Sequence, residues 1–219
     1  MYSWLLKYSK RYWILHQLLD RVSVIRRRLG GVIIGKNYGK ITRDILGNNN
    51  VIAIGDGSWL DNPKVFIRGN NNKISFGKNC KVIGGNTIFR IEGNNIEIII
   101  GDNTSFRHSC IICAQEDNMS IEIGKDCMIS NSVTIRTSDS HAIYSKDGNV
   151  RINEPRPVHV GNHVWIASKV LVLKGAKIGD GSIIGANAVV TKDVPENCLV
   201  VGTPATIVKK NIRWTKERS

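Results

Sequence analysis

The sequence predicts an all-β solenoid, a stack of triangular coils, and three observations predict it. Between Ile54 and Val190 an aliphatic or Phe residue recurs every six positions. A glycine follows the first member of each run. A small or β-branched residue usually stands four positions after the aliphatic one. A helix repeats every 3.6 residues and a half-buried strand every two, so neither yields a period of six. Three short strands per coil do, each burying its inner face, which makes about 18 residues per coil. One coil cannot bury that face alone, so stacked coils must share a continuous core.

The chain opens on residues 1–31, which carry seven cations (Lys7, Lys10, Arg11, Arg21, Arg26, Arg27, Arg28) against Asp20, a net +6. Trp4, Tyr8, Tyr12, Leu15, Leu19 and Val22 recur at steps of three or four, which predicts a basic amphipathic α-helix over 4–29, ended by Gly30-Gly31. Its apolar stripe suits a cap over the open end of the solenoid. Capping does not need that charge, and the surplus points to an acidic partner, an anionic membrane surface or a polyanionic glycan.

Residues 32–208 form the solenoid. The runs are Ile54, Leu60, Phe66; Phe76, Val82, Ile88; Ile100, Phe106, Ile112; Ile123, Ile129, Ile135; and the unbroken Val160, Ile166, Val172, Ile178, Ile184, Val190. Their spacing leaves excursions of 4, 6, 5 and 19 residues beyond the 18-residue coil. The first three fall at Gly69-Asn70-Asn71-Asn72, Gly93-Asn94-Asn95 and Asp117-Asn118, where Asn tolerates left-handed backbone. They predict a column of short turns at one corner. The fourth is a long loop at about 138–157, and long loops in compact folds are usually functional. A basic tail, 209–219, closes the chain; from residue 206 on, five cations stand against Glu217.

Of 219 residues 42% are hydrophobic, as in a folded globular protein, and the net charge of +13 belongs mostly to the two ends. No apolar run approaches the roughly 18 residues of a membrane span. The stretch Trp13–Leu15 is too short for a signal peptide's apolar core, so the chain is read as cytoplasmic, with peripheral contact at the inner face of the membrane open to it. Cys80, Cys110 and Cys127 all occupy the small interior slot, which reads as reduced core packing and counts against a cysteine nucleophile. Cys110-x-x-Cys113 has no second pair and is a weak zinc or redox signal.

This pattern resembles the hexapeptide-repeat acyltransferases over about residues 32–208. Gly181-Ser182-Ile183-Ile184-Gly185-Ala186-Asn187-Ala188-Val189-Val190-Thr191-Lys192-Asp193-Val194-Pro195 and Gly202-Thr203-Pro204-Ala205 are similar to that family's ending. The resemblance implies a left-handed parallel β-helix and a homotrimer with active sites between subunits. Ser138-Asp139-Ser140-His141, followed by Gly161-Asn162-His163-Val164-Trp165-Ile166, resembles the bacterial polysaccharide O-acetyltransferases, above all those that act on sialic-acid capsules. That implies catalytic roles for His141 and Trp165. The residue after Ile166 is Ala167 where those enzymes usually carry Gly, which narrows the thiol end of the donor channel.

A sugar hydroxyl needs a base that takes its proton as the new C–O bond forms, and an imidazole suits neutral pH. His141 is the candidate base. Asp139 either orients its ring or belongs to ordinary Ser-Asp-Ser turn chemistry. Trp165, expected at a coil corner, is either a wall for the acetyl thioester or an aromatic wedge between subunits. The resemblance places acetyl-CoA along the last coils, with Ala167, Ser168, Gly185 and Ala186 near the pantetheine and Thr191, Lys192 and Lys209 near the nucleotide. Both lysines also read as solvated surface charges. The expected activity is transfer of acetyl from acetyl-CoA to a hydroxyl of an acidic or lipid-linked bacterial surface polysaccharide, capsule or O-antigen. No metal and no nucleic acid are expected to take part. An N- or O-acetyltransferase of a small sugar or nucleotide-sugar uses the same scaffold. A trimeric zinc carbonic anhydrase is a remoter alternative, because His108, His141, His159 and His163 permit a three-histidine site but share no obvious level. A non-catalytic solenoid has no need of the histidine-bearing loop.

Overall fold

The computed structural model describes residues 31–37 and 39–217. The expected helix over 4–29 lies outside them. The described residues form a parallel β-solenoid with three faces. The first face runs from Val32–Ile34 through Val51–Ile54 to Lys177–Ile178, in seven parallel strands. The second runs from Trp59–Leu60 to Leu199–Val201 and ends in an antiparallel strand, Thr206–Lys209. The third runs from Thr42–Leu46 to Val189–Val190, again in seven strands. Among the described residues no helix is long and apolar enough to cross a membrane.

The core is a filled column. Ile52, Ile74, Ile98, Ile121 and Val158 stack inward on the first face, and Leu60, Val82, Phe106, Ile129, Ile166 and Ile184 on the second. Phe89 sits edge-on between Phe76 and Phe106, with ring centroids 5.1 and 5.6 Å away, the arrangement ring quadrupoles favour. Burying a side chain of this size contributes about 1.5–3 kcal/mol.

Two positions of the six-residue pattern are corrected. Phe66 and Ile88 face outward on the third face, and Val65, Ile67, Phe89 and Ile91 fill the core instead. The corner between the second and third faces varies in length: Val65 follows inward Leu60 by five residues and Phe89 follows Val82 by seven, whereas Ile112 follows Phe106 by six. A shift of one residue turns a strand's side chains to the opposite face.

The asparagine column forms as expected, at the corner between the third and first faces. Asn48, Asn70 and Asn94 each donate a backbone N–H to the side-chain oxygen one coil on, at Asn70, Asn94 and Asp117, over 2.8–2.9 Å. Asn49, Asn71, Asn95 and Asn118 hold φ of 56–61°, the left-handed geometry that Asn adopts at low cost. Stacking demands glycine at Gly47, where a Cβ would lie 1.8 Å from the Gly69 carbonyl oxygen. The long loop leaves the solenoid at this same corner, one coil after Asp117.

Candidate active site

The third-face strand Thr134–Arg136 is followed by Thr137, which is fully buried and exchanges hydrogen bonds with the Gln115 backbone of the coil above. Ser138 is also fully buried; its hydroxyl donates to Glu116 Oε1 (2.5 Å) and accepts the Ser140 N–H (2.9 Å). Ser140 turns the chain at φ +70°. His141 follows at once, exposed. Beyond it the loop closes as a hairpin, with Ile152 N–H donating to Ile143 O (2.8 Å) and Ser145 N–H to Val150 O (3.0 Å).

Asn153 holds this loop in shape. Its Nδ2 donates to the His141 carbonyl (2.8 Å) and to Asp139 Oδ2 (2.9 Å), and its Oδ1 accepts the Ile143 N–H (2.7 Å). Lys174 reaches in from the next coil, with Nζ 2.6 Å from Asp139 Oδ2 and 2.7 Å from the Asn153 carbonyl. Arg151 grips Glu116 with both arms of its guanidinium, Nη2 at 2.7 Å from Oε1 and Nη1 on Oε2. The hydrogen bond from Lys174 is the main reason that the Asp139 carboxyl titrates below its ordinary value. The Arg151 hydrogen bond does the same for Glu116.

The Asp139 carboxylate is thus engaged by Lys174 and Asn153, and it reaches His141 through Asn153 and the backbone. The His141 ring has no hydrogen-bond partner among the described residues. Trp165 begins a two-residue strand of the second face, just past the corner between the first and second faces, with Met128 above it and Ile183 below. Its Nε1 is buried with no partner among the described residues. Within this chain the width of the first face, roughly 15–20 Å for six extended residues, separates this corner from the one that bears the loop.

The tail packs against Trp165. Trp214 is 8% exposed, stacks on His163 at 4.1 Å and 10°, and lies 6.0 Å from the Trp165 ring centroid. Trp214 Nε1 donates to the His163 carbonyl at 3.0 Å, and His163 Nε2 lies 3.1 Å from the Trp214 carbonyl. Lys216 continues the strap to the Asn103 carbonyl (3.3 Å) and Asp126 (3.8 Å).

Ala167, Ser168, Gly185 and Ala186 come together at the corner between the second and third faces, in consecutive coils tied by Ala167 N–H to Ile184 O (2.9 Å) and Asn187 N–H to Ser168 O (3.0 Å). Gly185 is tight against the chain below, since a Cβ there would meet Val201 at 2.6 Å. Thr191 and Lys192 are exposed near the opposite corner, and Lys209 ends the antiparallel strand beside Leu199. His159 stands on the first face 3.4 Å from Glu122, while His108 and His163 lie at different corners. Sequence reasoning missed Asn153, Lys174, Glu116, Arg151 and Trp214. Their contacts come from a neighbouring coil, from the fold of the loop or from the tail, where no periodic signal marks them.

A family model described as Bacterial transferase hexapeptide (six repeats) matches residues 157–192. The polysialic acid O-acetyltransferase of Neisseria meningitidis is 36% identical over 191 residues, 78% of this chain and 88% of that protein. The polysialic acid O-acetyltransferase of Escherichia coli O1:K1 is 37% identical over 139 residues, 64% of this chain, and the match spans 43% of that protein's length. The crystal structure of the polySia-specific acetyltransferase NeuO superposes with a TM-score of 0.77 at 32% identity, covering 85% of this chain and 79% of that one. The coil is the left-handed β-helix expected from the repeat and its resemblance, and the chain belongs to the hexapeptide-repeat acyltransferases.

Proposed function

We propose that this acetyltransferase moves acetyl from acetyl-CoA to a hydroxyl of an acidic bacterial surface polysaccharide, with His141 as general base. The observation that carries the reading is the loop itself. It holds His141 exposed on a backbone fastened by Asn153, Asp139 and Lys174, in a chain whose relatives are named for acetylating polysialic acid. The imidazole takes the acceptor's proton as the sugar oxygen attacks the thioester carbonyl. The C–O bond forms, the C–S bond breaks, and the proton passes on to the departing thiolate. Asp139 positions His141 through Asn153.

The separation of His141 from Trp165 within one protomer supports a site completed by a second copy. In a homotrimer the loop of one protomer meets Trp165 of its neighbour. Trp165 walls the thioester, and its unpaired indole N–H is a donor for charge developing there. The corner of Ala167, Ser168, Gly185 and Ala186 fits a narrow pantetheine arm, because its residues are small and its backbone is closely stacked. Lys192 and Lys209 are point charges suited to the nucleotide phosphates.

His141→Ala tests the base. Turnover, followed as free thiol released from acetyl-CoA with an acidic glycan acceptor, should fall by about 10²–10⁴, while acetyl-CoA binding measured by calorimetry persists. A variant that keeps near-normal turnover removes His141 from the mechanism.

A further inference from the structure

We propose that Arg136, with Arg90 two strands away, forms a subsite that recognises a carboxylate of the acceptor glycan; this rests on the reading of the acceptor as an acidic polysaccharide and names the group that selects it. Arg90, Cys113 and Arg136 are successive partners across three adjacent strands of the third face. Strand spacing puts the two arginine Cα atoms about 9–10 Å apart. Cys113 stands between them, its thiol on the outward side of its strand and yet only 7% exposed. Arg136 leads directly into the loop, five residues before His141.

The pairing of charges on this surface singles out Arg136. The carboxylates around the loop and this face are already engaged. Asp139 takes Lys174 and Asn153. Glu92 takes Arg90 and Gln115, at 3.2 and 2.6 Å. Glu116 takes Arg151 and Ser138. Arg151 also lies 3.8 Å from a fourth carboxylate, Glu154. Arg136 makes no hydrogen bond or ion pair among the described residues, although the Asp139 carboxylate is close enough to feel its charge. Its Nε is buried and unsatisfied, and its side chain is half-buried.

A half-buried guanidinium with no hydrogen-bonded anion, five residues before the proposed base, offers what a sugar carboxylate requires: a planar fork that binds both oxygens at once. Arg90, already stacked 5.6 Å over the Phe66 ring, borders the same surface and extends the attraction to the next carboxylate of a polymer. Neutral sugars gain nothing from such a pair, so the subsite discriminates by charge.

The test is binding, which does not depend on turnover. An oligosaccharide of sialic acid, and the same oligosaccharide with its carboxylates reduced to alcohols, are titrated into the intact protein, wild type and Arg136→Gln. The wild type should bind the acidic form about 10–100-fold more tightly than the reduced form, and the variant should lose most of that ratio. Arg136→Lys keeps the charge without the fork and should fall between. A variant that retains the full preference overturns the subsite. Where light scattering or the thermal midpoint shows that Arg136→Gln misassembles or unfolds, Arg136→Lys decides in its place: a folded lysine variant with the full preference likewise overturns the subsite. If the wild type releases no thiol with any glycan, the proposed function fails, and the binding ratio still decides the subsite.

Discussion

Cys127 shows why the cysteines of this chain are structural. Its thiol donates to the Gly161 carbonyl at 3.1 Å and lies 3.5 Å from the Val164 N–H, so it joins two coils. Ser58, Thr104 and Ser182 occupy the same slot in other coils and make the same kind of bond, to Gly77, Gly124 and Pro195 carbonyls at 2.7–2.9 Å. Burial raises the thiols of Cys80, Cys110 and Cys127 to about 11, so they are protonated near neutrality and poor nucleophiles. Cys127→Ser should therefore keep its turnover and stay within about 1 kcal/mol of wild type. Cys127→Ala should cost about 1–3 kcal/mol, because it leaves a buried carbonyl unpaired. Urea midpoints and thiol-release rates measured on both variants check this; a dead but well-folded serine variant would return covalent catalysis to consideration.

At the scale of the element, the loop is a separately fastened unit. Asn153 ties its two arms together, and Glu116 and Lys174 tie it to the coils on either side. Asn153→Ala removes the link between Asp139 and the His141 backbone but no part of the solenoid core. Turnover should drop at least about tenfold with proteolysis appearing within residues 143–152, while the thermal midpoint moves by only a few degrees. Equal protease resistance in wild type and variant would count against Asn153 as the staple. The anchors also set a pH dependence. Glu116 and Asp139 both titrate below their unfolded values. Their contribution to loop order is complete above the ordinary carboxylate range and is lost as pH falls through and below it. Protease sensitivity of the loop should rise on that acid side, before the solenoid unfolds. Glu116→Gln, which cannot titrate, should be sensitive already at neutral pH.

At the scale of the whole molecule, the proposed site takes His141 from one copy of the chain and Trp165 from another. His141→Ala and Trp165→Ala should each be inactive. Mixed, unfolded together and refolded, they should regain activity, because a His141 donor beside an intact Trp165 neighbour rebuilds a site; random mixing restores about a quarter of the sites. A mixture that stays dead places both residues in one protomer's site. The net charge of +13 acts at the same scale. Attraction of a polyanion is screened by salt, so the apparent KM for a polymeric acidic acceptor should climb steeply with ionic strength while that for acetyl-CoA changes less. Equal activity on a neutral monosaccharide, with no salt dependence for the polymer, would remove the polyanion from the account.

The six-residue period by itself determined the solenoid, its inward Ile and Val columns, the small slot holding Cys80, Cys110 and Cys127, the asparagine corner and the long loop with His141. These are local: each follows from residues a few positions apart whose side chains alternate in and out of a strand. The tertiary structure decided what the period could not carry. It set which of Val65, Phe66 and Ile67 turn inward, because corner length resets the alternation. It joined Arg151 to Glu116 and Lys174 to Asp139 across 35 residues, and Trp214 to His163 across 51. Partners one or more coils apart meet only after the coils have stacked, and a polar pair separated by a whole coil leaves no mark on the hydrophobic pattern that predicts the stack.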